Sequence, residues 1–376
     1  MTIERICAHS VRIGVIAVLA GGGASLWGAL VDPRAFFPAW VAAFYFWLAM
    51  PLGALALLFI WDLTGGRWEP LARLPLGAMA ATFPLFVLLF LPILAGLAVL
   101  YPWTRSHIAP SLPNHWYLNP TFFYVRAGLY FSLWNGAAAW RLRRPGARAG
   151  IAPRREQWVS GICLMLLGYT VTFASIDWIM STEPHWFSSI YGMNVGASQF
   201  IISLSFLLLM LSLGAPRPAA RGTEFSGALA TLCTILLAVV IFWAYTAFCQ
   251  WLIIWEENLH TEIHWFILRW RGAWSSVIYA LCGACFAVPF GCLVWTPAKR
   301  KPLLVGAVAL LLLVGHMVFV WWLLLPGFRD IGFSWLDPAV MLGIGGAWLL
   351  AFAAALRLMR AQPVASERQA EHLLHG

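Results

Sequence analysis

Ten separate apolar runs, each close to the roughly 20 residues that a helix needs to cross the hydrocarbon core of a bilayer, leave this chain few folds. They lie near residues 11–31, 37–61, 77–100, 120–141, 156–180, 188–213, 225–254, 273–296, 302–325 and 337–358. Inside hydrocarbon every backbone polar group needs an internal partner, which leaves helices or a closed barrel. Runs of this length without strict alternation are helical. The expected fold is therefore all-α: a polytopic integral membrane protein with about ten transmembrane helices, forming one transmembrane domain over residues 1–360. A polar tail, residues 361–376, is expected to be disordered. Only 10% of the 376 residues are charged, against about 25% in soluble domains, so a soluble enzyme is excluded.

Charge sets the expected orientation, because basic residues are retained in cytoplasmic loops. With ten spans both termini share a side, and that side carries 18 of the 24 Lys and Arg residues. Both termini are thus expected in the cytoplasm. The net charge of +9 is accounted for by these loops and by attraction to anionic membrane lipid; it calls for no nucleic acid. The first apolar run, after Arg5 and Arg12, has the outline of a signal peptide. No small-x-small cleavage site follows it, and its loss would break the charge pattern, so it is expected to remain as the first span.

Chemistry concentrates where apolar runs end. Ser175-Ile-Asp-Trp-Ile-Met-Ser-Thr-Glu-Pro-His-Trp-Phe187 leads from a span into acids, a histidine and aromatics. Seventy-nine residues on, Asp177, Glu183 and His185-Trp-Phe187 are echoed by Glu256, Glu262 and His264-Trp-Phe266. A looser copy, Asn114-His-Trp-Tyr117, occupies an earlier loop. The three pairs His115 and Trp116, His185 and Trp186, His264 and Trp265 read either as interfacial anchors or as a docking surface for an extramembrane redox partner.

Charge within a span is a functional candidate by default. Arg126 lies about six residues into its span, or roughly 9 Å deep, and is expected to pair with Asp177 or Glu256; snorkelling to the interface is the alternative. Thr170 and Asp177 are two turns apart on one helical face. Asp62 closes the second span as either a proton-uptake point or an interfacial acid. Glu256 and Glu257, adjacent at the end of a long apolar run, read either as a proton-release pair or as solvated acids. His316 is the one histidine deep in a span, so a bis-histidine haem within this chain is not expected. Asp177, Glu183, Glu256, Glu257, Arg126, Thr170, His316 and Asp62 are thus the candidates for a proton path. The third span, without charge, reads as scaffold. Cys282 and Cys285 have C-x-x-C spacing but sit mid-span, where packing accounts for them. No catalytic motif and no metal-ligand spacing is present.

Residues Phe173 to Gly192, together with Trp251-Leu-Ile-Ile-Trp-Glu-Glu-Asn258 and Trp270-Arg-Gly-Ala-Trp274, closely resemble the ActF-type membrane subunit of alternative complex III. That subunit belongs with the NrfD-like, polysulfide-reductase-C-like membrane proteins. The resemblance implies two four-helix bundles with flanking helices in a bacterial inner (cytoplasmic) membrane. It implies a respiratory quinol:cytochrome c oxidoreductase in which this chain binds no redox cofactor of its own and is not catalytic alone. Iron–sulfur clusters and haem c would sit in partner subunits, beside a sister NrfD-like subunit, c-type cytochromes and a terminal oxidase, with menaquinol or ubiquinol as substrate. It also implies proton conduction by the subunit, and Asp177, Glu183, His185 and Glu256 match the family's polar positions on the positive face of the membrane. A secondary transporter and a purely structural anchor are the competing readings.

Overall fold

The structure, a computed structural model, describes residues 3–105, 112, 114–144, 153–216, 222–329 and 332–361. The expected tail lies outside the described residues. The helices, counted through their interruptions, are α1 (3–31), α2 (Pro33–Thr64), α3 (69–100), α4 (Pro120–Leu142), α5 (Arg154–Trp178) and α6 (Tyr191–Leu213), followed by α7 (Thr223–Glu257), α8 (His260–Arg269), α9 (Ala273–Val294), α10 (Pro302–Leu324) and α11 (Leu336–Ala361). No strand occurs among the described residues. Nine of these helices are long and apolar enough to cross a membrane, and the chain is a multi-pass α-helical membrane protein. The remaining expected span is α4, whose 23 residues reach about 34 Å but include Arg126, Asn135 and Arg141.

Helix starts follow local chemistry. Asp32 caps α2 by accepting from the Ala35 N–H at 3.1 Å, and Asn119 caps α4 by accepting from the Phe122 N–H at 2.9 Å. In both, proline occupies the first helical position, where its missing N–H costs nothing. Helix α3 differs from expectation: it begins at Glu69 rather than residue 77, so it carries Glu69 and Arg73, and it is divided into four short pieces. Pro84 and Pro92 lie in the first turns of two of them, removing backbone donors. Trp40 Nε1 donates to the Leu89 carbonyl beside one break at 2.9 Å, the kind of repair that such breaks need in lipid.

Helices α2, α3, α4 and α5 form one bundle, α6, α7, α9 and α10 a second, and α2 against α6 is the seam. Helix α2 is apolar all round; 83% of its most apolar 18-residue window is buried, against 22% for that of α1. An all-round apolar helix belongs inside. The flanking helices pair with each other: α1 runs antiparallel to α11, with Gly21 against the Gly343 backbone and Gly28 against Leu336. Helix α11 in turn lies on α2, where Trp47 Nε1 donates to the Met341 carbonyl at 2.9 Å. The described ends of the chain are therefore at the same end of the molecule.

Candidate functional site

The inner face of α4 carries Arg126, Tyr130, Trp134 and Arg141, and each meets a polar partner on another helix. At the end away from the termini, Arg126 grips Asp177 of α5 with two parallel bonds, Nε to Oδ2 and Nη2 to Oδ1, both 2.8 Å. This bidentate fork is the strong form of the interaction. Tyr130 donates to Asp177 Oδ2 at 2.7 Å, and Arg126 Nη1 donates to the Tyr117 carbonyl at 3.0 Å. The guanidinium also lies over the Tyr117 and Phe122 rings, 3.8 and 4.3 Å from their centroids. Asp177 is 1% exposed and Arg126 6%. Of the two partners expected for Arg126, Asp177 is the one it meets; snorkelling does not occur, and Glu256 and Glu257 stand exposed at the end of α7.

One turn inward, Trp134 Nε1 donates to Thr170 Oγ1 at 2.9 Å. At the opposite end of the same helix pair, Arg141 Nε lies 2.8 Å from Asp62 Oδ2, and Ser160 of α5 donates to that oxygen at 2.8 Å. Asp62 is 5% exposed: it is a buried, ion-paired acid in the last turn of α2.

A third buried charge pair joins the second bundle to the loop after α5. Glu183 Oε1 accepts from Arg269 Nη2 at 2.6 Å; Arg269 also donates to the carbonyls of Leu323 and Trp265, at 2.7 and 2.9 Å. Burial pushes the Arg269 guanidinium below its ordinary pKa, and the Glu183 carboxylate opposes that shift. Arg329 and Asp337 form a further bidentate pair, at 3.0 and 2.8 Å, beside the start of α11.

The docking expectation needs correction for two residues. Trp186 and Trp265 are buried and stack on each other, 4.3 Å between centroids at 11°, with Arg269 over the Trp265 ring at 3.6 Å. Flat indole faces beside a guanidinium gain more from mutual packing than from water. His115, Trp116, His185 and His264 remain exposed. His316 is fully buried in the second bundle, with Nδ1 2.8 Å from Ser198 Oγ and Nε2 unpartnered; among the described residues it makes no hydrogen bond to the α4–α5 pairs. Cys285 packs against Gly315 of α10, in line with a packing role.

Arg141, Tyr130, Trp134, Ser160 and Arg269 escaped the sequence reading. Arg141 closes the apolar run at 120–141, beside a basic loop that masks it, although it stands 15 residues after Arg126, close to the same helical face. Arg269 lies between apolar runs, close to Arg271, and nothing local reveals a carboxylate 86 positions away.

No protein-family model matches the chain, and no curated protein sequence matches it. What fold and site define is a multi-pass α-helical membrane protein with arginine–carboxylate pairs buried towards both ends of its helices.

Proposed function

We propose that this chain is an integral membrane subunit of a respiratory quinol:cytochrome c oxidoreductase of the alternative complex III type. In this reading it is an ActF-type, NrfD-like subunit of a bacterial inner membrane that scaffolds iron–sulfur and haem c subunits and contributes a path for protons. The observation that carries the proton path is the pair of acids, Asp62 and Asp177, each buried on an arginine at opposite ends of α4 and α5. Charge is kept at such depth only with partners, and it marks proton relays in transporting membrane proteins.

Each acid exchanges a proton when its arginine is drawn aside, so the two pairs serve as uptake and release points. Tyr130 and Thr170 extend the Asp177 end inward, and Ser160 extends the Asp62 end. Thr170 stands ten residues after Ser160, about 15 Å along the helix, a gap bridged by water when the bundle moves. His115, Trp116, His185 and His264 offer the exposed surface for the redox partners.

The test is purification of the tagged chain in mild detergent, with an optical spectrum and quinol-driven cytochrome c reduction, for wild type, Asp177→Asn and Asp62→Asn. Co-purifying haem c with antimycin-insensitive turnover is expected, together with a loss of proton release in both variants. Full turnover and proton release in both would reduce the chain to a structural anchor. A colourless, partnerless protein would favour a transporter.

A further inference from the structure

The buried basic side chains among the described residues are Arg126, Arg141, Arg269 and Lys299. The three arginines each hold a carboxylate. Lys299, 9% exposed, pairs with no acid among the described residues; its ammonium donates to Thr234 Oγ1 of α7 at 3.1 Å and makes no other hydrogen bond there. That hydroxyl donates its own proton to the Ala230 carbonyl at 2.9 Å, so it offers the lysine a lone pair and no charge. A buried charge without an opposite charge is costly to hold, and two of the three ammonium N–H donors are unused.

The lysine belongs to a tight turn, Ala298–Arg300, that joins α9 to α10 and packs on α7. Packing draws Lys299 in against α7, whereas Arg300 and Lys301 stay exposed. Thr234 is itself exposed, so the ammonium lies at the rim of the bundle rather than in its interior. The turn is at the end of the molecule whose loops carry most of the basic residues, where two spans reach the headgroup layer. Directly after it, α10 begins without a capping side chain, with Pro302 as its first helical residue. The next two N–H groups have no acceptor within the helix, and this positive end of the helix dipole favours an anion.

The surroundings define the ligand. Three bases and free N–H groups call for an anion with several acceptor oxygens, which a phosphate supplies. Beside them the surface is apolar: Val294, Trp295 and Leu303 are exposed by 52, 56 and 90%, and Lys301 lies over the Trp295 ring at 5.2 Å. An exposed Trp at the end of a span sits at the lipid interface, so acyl chains rather than water cover this flank. We propose that the turn binds the phosphate of an anionic phospholipid, such as phosphatidylglycerol, between Lys299, Arg300, Lys301 and the start of α10, with its chains along Val294, Trp295 and Leu303. A zwitterionic headgroup brings its own cation to three bases and is disfavoured. The site stands independently of the respiratory reading and would hold equally in a transporter.

The experiment irradiates the purified protein, with whatever partners accompany it, in phosphatidylcholine nanodiscs containing a phosphatidylglycerol with a photoreactive group beside its phosphate, and maps the label by mass spectrometry. Label is expected within residues 294–304 and 227–238. Excess unlabelled phosphatidylglycerol should compete it away, whereas additional phosphatidylcholine and inorganic phosphate should not. Lys299→Met should cut the label at least about fivefold, the weight of one base at a lipid surface, and Lys299→Arg, which keeps the charge, should retain it. If Lys299→Met fails to fold, Arg300→Gln with Lys301→Gln, both exposed, should cut the label several-fold. Label elsewhere, label unchanged by removing these charges, or equal displacement by phosphatidylcholine overturns the proposal. Displacement by inorganic phosphate would overturn it in favour of a soluble phosphate. Carbodiimide cross-linking of Lys299 to a carboxylate of an accompanying protein, without lipid label, would overturn it in favour of a protein interface.

Discussion

Replacing Arg126 by Gln should be among the most destabilising single changes in the first bundle. Asp177 is 1% exposed and receives two bonds from Arg126 and one from Tyr130. Removing the guanidinium leaves a buried carboxylate with only the phenol, and breaking a buried pair from one side costs about 3–5 kcal/mol. Asp177→Asn should cost less, about 2–3 kcal/mol, at the scale of one or two charged hydrogen bonds, because Arg126 keeps the Tyr117 carbonyl and two aromatic faces. In the double variant neither charge is stranded, so the losses should fall short of additivity by about 2–3 kcal/mol, towards the top of the range for direct contacts. Reversible unfolding by titrating SDS into mixed micelles, followed by far-ultraviolet circular dichroism, measures all four corners of the cycle. A coupling below about 0.5 kcal/mol, the additivity expected of independent sites, would refute the reasoning.

Glu183→Gln should destabilise more than Arg269→Lys in the same assay: the first strands a fully buried guanidinium, at about 3–5 kcal/mol, whereas the second keeps the charge and loses the fork geometry. The reverse order would show that shape, not charge, holds this junction. Gly21→Val should detach α1 from α11, because a Cβ there meets the Gly343 backbone, whereas Gly23→Val, with nothing within 4 Å, should be silent. A backbone obstacle cannot rotate away, so the loss should exceed the usual 1–3 kcal/mol or so of overpacking; limited proteolysis of the first helix reports it. Trp134→Phe should leave Thr170 without its indole donor and cost about 1 kcal/mol, with an unchanged unfolding midpoint ruling the bond out as a contributor.

Hydropathy and length determined where the long helices lie, because a span must be about 20 apolar residues long whatever its neighbours do. The Arg126–Asp177 pair was legible for the same reason: a charge that deep must find a partner, and few candidates lay at its level. The same argument missed α3's early start at Glu69, since polar residues at a helix end blur its boundary, and it missed α8, too short to register as a span.

What the sequence by itself determined was the helical membrane architecture and the depth of its charges. Only the tertiary structure decided which charges meet. The 79-residue echo read as two matching motifs, and packing turned it into one contact, Trp186 stacked on Trp265. Arg141 reached Asp62 and Arg269 reached Glu183 across 79 and 86 positions. The reason is physical: periodicity reports which face of a helix is apolar, whereas the partner across that face is set by how helices distant in the chain cross.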